Sequence, residues 1–270
     1  MISPDGMLGR ALEERLPGVA SVRFPDLDLE RPETIDRWIP AGTEIVLNCA
    51  AYTDVDGAEK DEARASAVNG TGVGALAARC REVGATLVHF GTDYVFDGRG
   101  SRPYPVDAPL APSGAYGRSK ALGERLLAES GAEHLLVRTS WLYAPWGKNF
   151  VRTIAAAADQ KDSLRVVDDQ RGRPTSAEHL AGATLALLER RARGTFHVSD
   201  GGECSWFDFA TEIVRLRRAR CTVHPCTTAE FPRPAPRPAY SVLDLSATEA
   251  LLGPMPPWQD RLAGVVGRLA

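Results

Sequence analysis

The feature that most narrows the fold is the alternation, along the whole chain, of short apolar runs with amphipathic stretches. The apolar runs are Glu44–Ala50 (EIVLNCA), Thr86–Phe90 (TLVHF), His134–Tyr143 (HLLVRTSWLY), Leu164–Asp168 and Thr195–Ser199. Helical stretches fall at Ala63–Val83, Ala115–Ser130 (closed by Gly131), Ser176–Arg191 and Ser205–Arg217. Over Ala63–Val83, the residues Ala65, Val68, Leu76, Ala77 and Cys80 form one apolar stripe. Strands that are apolar on both faces need cover on both, and helices between them supply it. The expectation is therefore an α/β chain with a Rossmann-like, doubly wound parallel sheet. Gly98–Ser113 and the stretch Thr227–Tyr240, with Pro232, Pro234, Pro236 and Pro238, read as irregular loops.

Composition excludes several classes. At 270 residues, with 44% hydrophobic and 25% charged residues, the chain is neither disordered nor fibrous. No apolar run approaches a membrane span. A net charge of -3 offers no basic field for nucleic acid, so a small molecule or another protein is the expected partner. The cysteines are Cys49, Cys80, Cys204, Cys221 and Cys226; an odd number with no signal peptide points to a reducing cytoplasm. Cys49 reads as a core thiol. Cys221 and Cys226, with His224 between them, lack two further ligands, so no metal is expected.

Gly6-Met7-Leu8-Gly9 precedes a helical stretch, Arg10–Leu16. A glycine turn entering a helix lets backbone N–H groups approach a pyrophosphate. The full pattern wants Gly-x-x-Gly-x-x-Gly after a strand, but Ser3 holds the first position and no strand precedes it. The first, central strand of the sheet is thus expected to be missing. That leaves three readings: a start recorded downstream of the true one, a slot filled by another segment or chain, or a truncated relative. Residues 1–143 are expected to form the nucleotide-binding core. Residues 144–270 would form mainly a smaller C-terminal substrate-binding lobe, with the chain crossing back to the core.

Tyr116-Gly117-Arg118-Ser119-Lys120 places a phenol and an ammonium four residues apart on one helix face. An ammonium near a phenol is expected to draw its pKa below 10, and such a tyrosine can protonate a carbonyl oxygen that receives hydride. Thr92, after the strand Thr86–Phe90, stands where ligands sit in such sheets and can bond the same oxygen; it also reads as a strand-end cap. Asn48-Cys49-Ala50-Ala51-Tyr52-Thr53 ends the preceding strand with small residues, suited to a close-lying ribose or to tight packing alone.

Ala50–Asp56 (AAYTDVD), Gly91–Gly98 (GTDYVFDG), Tyr116–Lys120, Arg138–Tyr143 (RTSWLY), Asn149-Phe150-Val151, Val166–Gln170 (VVDDQ) and Arg173-Pro174-Thr175 occur in order. Together they resemble the dTDP-4-dehydrorhamnose reductase family of extended short-chain dehydrogenases/reductases, from about Ser3 to Leu252. The resemblance implies reduction of a dTDP-4-dehydro-6-deoxysugar, dTDP-4-dehydrorhamnose to dTDP-L-rhamnose, with NADPH or NADH. On that basis Tyr116 is the proton donor, Lys120 holds the nicotinamide ribose and tunes Tyr116, and Thr92 orients the C4 carbonyl. Gly6, Met7, Leu8, Gly9, Asp28, Leu29, Ala50, Ala51, Tyr52 and Thr53 would contact the cofactor, which supplies the hydride. Val55, Tyr94 and Trp141 would line the sugar pocket, and Asn149 and Arg237 would reach the diphosphate.

Read as residues alone, Trp141 serves equally as a core aromatic, Asp28 as a cap for Glu30–Trp38, and Arg237 as a solvated charge. The chain also departs from the family. Gly91 stands where serine is usual, and Arg23 is only a candidate for choosing between NADPH and NADH. Ala11 falls near the acidic residue of the metal-linked dimer known in some members, so that dimer is not expected, while a homodimer of another kind stays open. The glutamate that dehydratases carry after the threonine-aspartate pair is Tyr94 here, which disfavours dehydration. Another 4-ketoreductase or epimerase, and a non-catalytic regulatory subunit of the same fold, remain as alternatives.

Overall fold

The computed structural model describes residues 1–269. Its centre is a parallel sheet whose strands lie side by side in chain order: Ile45–Asn48, Thr86–Thr92, His134–Thr139 and Gly194–His197. Neighbouring residues along these strands face opposite layers. Val46, Leu87 and Leu136 pack into one apolar cluster with Leu76, Cys80 and Leu127 from the helices Gly72–Val83 and Ala115–Glu129. Leu47, Val88, Leu135 and Val137 pack into another with Leu8, Leu12, Leu180 and Leu187 from Met7–Arg15 and Ala177–Glu189. This is the two-faced cover that all-apolar strands require.

The expectation of a missing first strand is corrected in part. Ile2 bridges Val22 on one side and Asn48 on the other, so a short extended segment fills the slot at the end nearest the glycine turn. Its backbone is satisfied on both sides: Ile2 N donates to Leu47 O at 2.9 Å, Ser3 N to Val22 O at 2.9 Å, and Cys49 N to Ile2 O at 3.2 Å. Buried backbone groups that would each cost about 1–3 kcal/mol unpaired are met there. At its other end the strand Ile45–Asn48 is less covered, and Ile45 is 48% exposed.

Two expected elements are interrupted. Ala63–Val83 is three pieces, Glu62–Ser66, a π-helical turn Ala67–Thr71, and Gly72–Val83. His134–Tyr143 breaks into His134–Thr139 and Leu142–Tyr143 because Trp141 takes φ +48°, a left-handed conformation no strand can continue through.

Beyond Tyr143 the chain builds a separate apolar cluster from Val151, Ile154, Phe209, Ile213, Trp258 and Leu262, under the helices Phe150–Ala158, Trp206–Arg217 and Trp258–Val266. The paired strands Ser163–Val167 and Thr222–Cys226 flank it. Between these parts the chain returns to the first sheet, contributing the helix Ala177–Glu189 and the strand Gly194–His197. Among the described residues no helix is long and apolar enough to cross a membrane, and no three His, Cys, Asp or Glu side chains gather to hold a metal.

Candidate active site

The carboxyl ends of the parallel strands open onto one cleft of about 360 Å³. Its floor is the turn Gly6–Gly9, and one wall is Asn48–Ala51 with Thr53 and Val55. Phe90, Gly91, Thr92 and Tyr94 form the next wall, Tyr116 and Lys120 the third, and Thr139–Leu142 the rim. A roomier surface hollow of about 730 Å³ lies on the outer side of the Tyr116 helix, over Glu124 and Arg138, and holds none of the expected site residues.

Close packing sets Tyr116 against the Thr92 loop. A Cβ on Gly117 would come within 2.3 Å of Tyr94 O, so glycine lets the helix seat directly on that loop. The Tyr94 and Tyr116 rings then meet edge to face at 5.6 Å. The departure at Gly91 has a structural reason as well. A Cβ there would lie 2.5 Å from Glu124 Oε1 and 2.8 Å from Arg138 Cγ, the space taken by a buried ion pair.

The electrostatics correct the expectation for Tyr116. Burial pushes its phenol up to about 12, the charge of Asp93 adds to the rise, and only the Thr92 hydroxyl opposes it. Lys120 is not among the groups that shift it; its Nζ donates to Phe90 O at 2.6 Å. Lys120 is itself buried, which brings its ammonium down to about 8. Asp93 is buried beside them and pushed up to about 6 by the loss of water, with its Oδ1 accepting the Thr92 hydroxyl at 3.1 Å. The result is a phenol kept neutral and proton-bearing, next to a lysine poised near neutrality.

The helix Met7–Arg15 begins at Gly6 with no side-chain cap, and nothing lies within 4 Å of where a Gly6 Cβ would be. Its first N–H groups have no side-chain partner and the turn lines the cleft, a setting that suits an anionic diphosphate. The cleft thus carries an uncapped helix N-terminus at one end and Lys120, Thr92 and Tyr116 at the other.

Of the expected cofactor contacts, Gly6, Met7, Leu8, Gly9, Ala50, Ala51 and Thr53 line the cleft. Tyr52 does not; its backbone is clamped by Asn69, whose Oδ1 accepts from Tyr52 N at 2.9 Å and whose Nδ2 donates to Tyr52 O at 3.0 Å. Asp28 is spent locally, accepting from Glu30 N and from Arg31 Nε, both at 3.0 Å, and Leu29 is buried in the core. Arg23 is held by Asp5 at 2.9 Å and Glu13 at 3.5 Å.

Of the expected sugar and diphosphate contacts, Val55, Thr92, Tyr94 and Trp141 line the cleft and two others do not. Asn149 caps the helix Phe150–Ala158, accepting from Arg152 N at 3.2 Å and donating to Ala144 O at 2.9 Å. Arg237 pairs with Asp56 at 3.0 Å.

Some participants escaped the sequence reading. Trp206 stacks on Trp141 with ring centroids 3.5 Å apart and planes 9° from parallel. Glu124 and Arg138 form a buried bidentate pair, and His89 sits behind Lys120. Glu124 and Lys120 share the spacing of four that singled out Tyr116, and that was the available signal; the Trp206 contact spans 65 positions and had none.

A family model described as the RmlD substrate binding domain matches residues 2–270. The chain is 42% identical over 253 residues to the dTDP-4-dehydrorhamnose reductase of Burkholderia thailandensis, covering 87% of this chain and 85% of that one. It is 40% identical, over 95% of this chain and 90% of the relative, to a probable dTDP-4,6-dihydroxy-2-methyloxan-3-one 4-ketoreductase of Streptomyces antibioticus. Among solved structures it is similar to a dTDP-4-dehydrorhamnose reductase of Bacillus anthracis in complex with NADP, with a TM-score of 0.92 and 35% identity over 98% of this chain and 96% of that one.

Proposed function

The chain belongs to the dTDP-4-dehydrorhamnose reductase family, and from that premise we propose that it reduces the C4 ketone of dTDP-4-dehydrorhamnose to dTDP-L-rhamnose, with NADPH or NADH. The observation that carries this reading is the meeting of Thr92, Tyr116 and Lys120 on one cleft whose phenol keeps its proton. The nicotinamide cofactor, when bound, supplies hydride to the carbonyl carbon. Thr92 and Tyr116 hold the carbonyl oxygen between two hydroxyls. As negative charge develops there, Tyr116 delivers its phenolic proton and the oxygen becomes the C4 hydroxyl. Lys120 orients the ribose.

Residues 1–143 would carry the cofactor, with Gly6–Gly9 on its diphosphate and Ala50, Ala51 and Thr53 along it. Val55, Tyr94 and Trp141 would line the sugar pocket, Trp141 held flat by Trp206, with residues 144–270 mainly the substrate lobe. The five unpaired thiols support a cytoplasmic setting. The 40% identity to the Streptomyces antibioticus relative favours a second reading, in which the same chemistry acts on a different dTDP-4-keto-6-deoxysugar.

Oxidation of NADPH is expected with dTDP-4-dehydrorhamnose as the acceptor, and Tyr116→Phe is expected to lower kcat by about 10²–10⁴-fold while nucleotide binding holds. Turnover by Tyr116→Phe at the parent rate would remove Tyr116 as the proton donor. A clear preference for another 4-keto sugar would select the second reading.

A further inference from the structure

His89 lies in the strand Thr86–Thr92, 1% exposed, with Asn48 on one side of its ring and Lys120 on the other. Its Nδ1 is 3.1 Å from Asn48 Nδ2, and its Nε2 is 3.4 Å from Lys120 Nζ. The orientation of the Asn48 amide is fixed, because its Oδ1 accepts Ala50 N–H at 3.1 Å. The NH₂ group therefore faces the imidazole, and Nδ1 accepts. A neutral imidazole carries one proton, which then sits on Nε2, aimed at Lys120. An amine can accept that N–H with its lone pair; an ammonium has none and meets it proton to proton. The Phe90 carbonyl, 2.6 Å from Nζ, accepts from lysine in either state.

We propose that His89 is a positioning residue for the reduction: its Nε2–H, fixed in place by Asn48, opposes the charged form of Lys120 and keeps that side chain's proton exchangeable while the Phe90 carbonyl tethers it at the cleft. This rests on reading Lys120 as the lysine that serves Tyr116. Burial acts in the same direction on both groups, holding His89 well below the usual histidine range and bringing Lys120 down. The other titratable groups near Lys120 are Tyr116 and Glu124 on its own helix and Asp93, whose charge acts on Tyr116. Glu124, whose carboxylate opposes the fall, is itself bound by Arg138 at 2.9 Å. None of these replaces the N–H that faces Nζ.

Two NMR measurements on the full chain test this. Long-range ¹H–¹⁵N spectra of histidine-labelled protein are expected to show His89 as the neutral Nε2–H tautomer at neutral pH. In ¹³C-lysine spectra, where only Lys60, Lys120, Lys148 and Lys161 report, one lysine is expected to titrate well below the others. Asn48→Asp gives Nδ1 an acceptor, moves the proton off Nε2 and turns that nitrogen into an acceptor for the ammonium. The Lys120 titration and the alkaline limb of kcat/KM should then both rise, by about one pH unit or more. His89→Phe, which removes the opposing N–H, should shift both in the same direction. A cationic or Nδ1–H His89, or a Lys120 titration unmoved in Asn48→Asp, overturns the proposal. If His89→Phe fails to fold, the tautomer and Asn48→Asp still decide. Because both spectra are read without turnover, a protein that fails to reduce the sugar would sink the functional reading and leave this test standing.

Discussion

At the scale of single residues, the proposed chemistry turns on what burial does to two titratable groups. Tyr116, lifted to about 12, keeps its proton through the physiological range, which is what a donor to a developing alkoxide needs. Lys120, brought down to about 8, loses its positive charge just above neutrality. Above that point Lys120 would lose the charge with which it holds the cofactor ribose, so kcat/KM is expected to fall with an apparent pKa near that of Lys120 and far below that of Tyr116. A pH–rate profile with no alkaline limb below about pH 10 would contradict this assignment. The Tyr-x-x-x-Lys spacing and Thr92 were legible in the sequence because helix geometry fixes neighbours four apart. The direction of the Tyr116 shift was not, because spacing predicts proximity to an ammonium but says nothing of lost water or of the Phe90 carbonyl that claims Nζ.

At the scale of elements, close approach decides where the chemistry sits. Gly117→Ala would push a methyl into Tyr94 O, and relieving it must move the helix or the Thr92 loop. The expected result is a loss of about 1–3 kcal/mol in denaturant unfolding together with a lower kcat, since proton donor and carbonyl anchor separate. The helix Phe150–Ala158 makes a contrasting case. Asn149→Ala removes its cap and should cost about 1 kcal/mol of stability, with KM for the sugar nucleotide changed by less than about twofold. A large rise in KM would return Asn149 to the substrate. The alternation of apolar runs placed the four strands of the central sheet and the helices that cover it within a few residues of where they lie, because two-sided burial imprints itself on local sequence, but it gave no element at Phe150–Ala158, Thr222–Cys226, Ser246–Leu252 or Trp258–Val266. The breaks at Trp141 and at Ala67–Thr71 were not read from the sequence; their residues meet partners far off in the chain, Trp141 stacking on Trp206 and Asn69 bonding Tyr52 and Ser119.

At the scale of the whole molecule, one buried network ties sheet to helix behind the active cleft. Arg138 binds Glu124 through two nitrogens, donates to Val106 O at 2.9 Å, and reaches His197 Nε2 at 3.2 Å. His197 passes the connection to Asp244 O at 3.1 Å, so segments far apart in the chain meet at one guanidinium. Arg138→Met should cost about 3–5 kcal/mol in urea unfolding by leaving Glu124 buried without a partner, and adding Glu124→Gln should recover part of that loss. Equal stability of the single and double variants would show that the pair carries no such coupling. The amino-acid sequence by itself determined the layered α/β architecture, the glycine turn and the pairing of Tyr116 with Lys120 on one helix, because these rest on periodicity and on residues close in the chain. Only the tertiary structure decided which of the matched residues reach the cleft, how Ile2 fills the slot between Val22 and Asn48, and whether the phenol is acidic or proton-retaining. Those outcomes depend on desolvation and on partners dozens of residues away, and neither quantity is carried by local sequence.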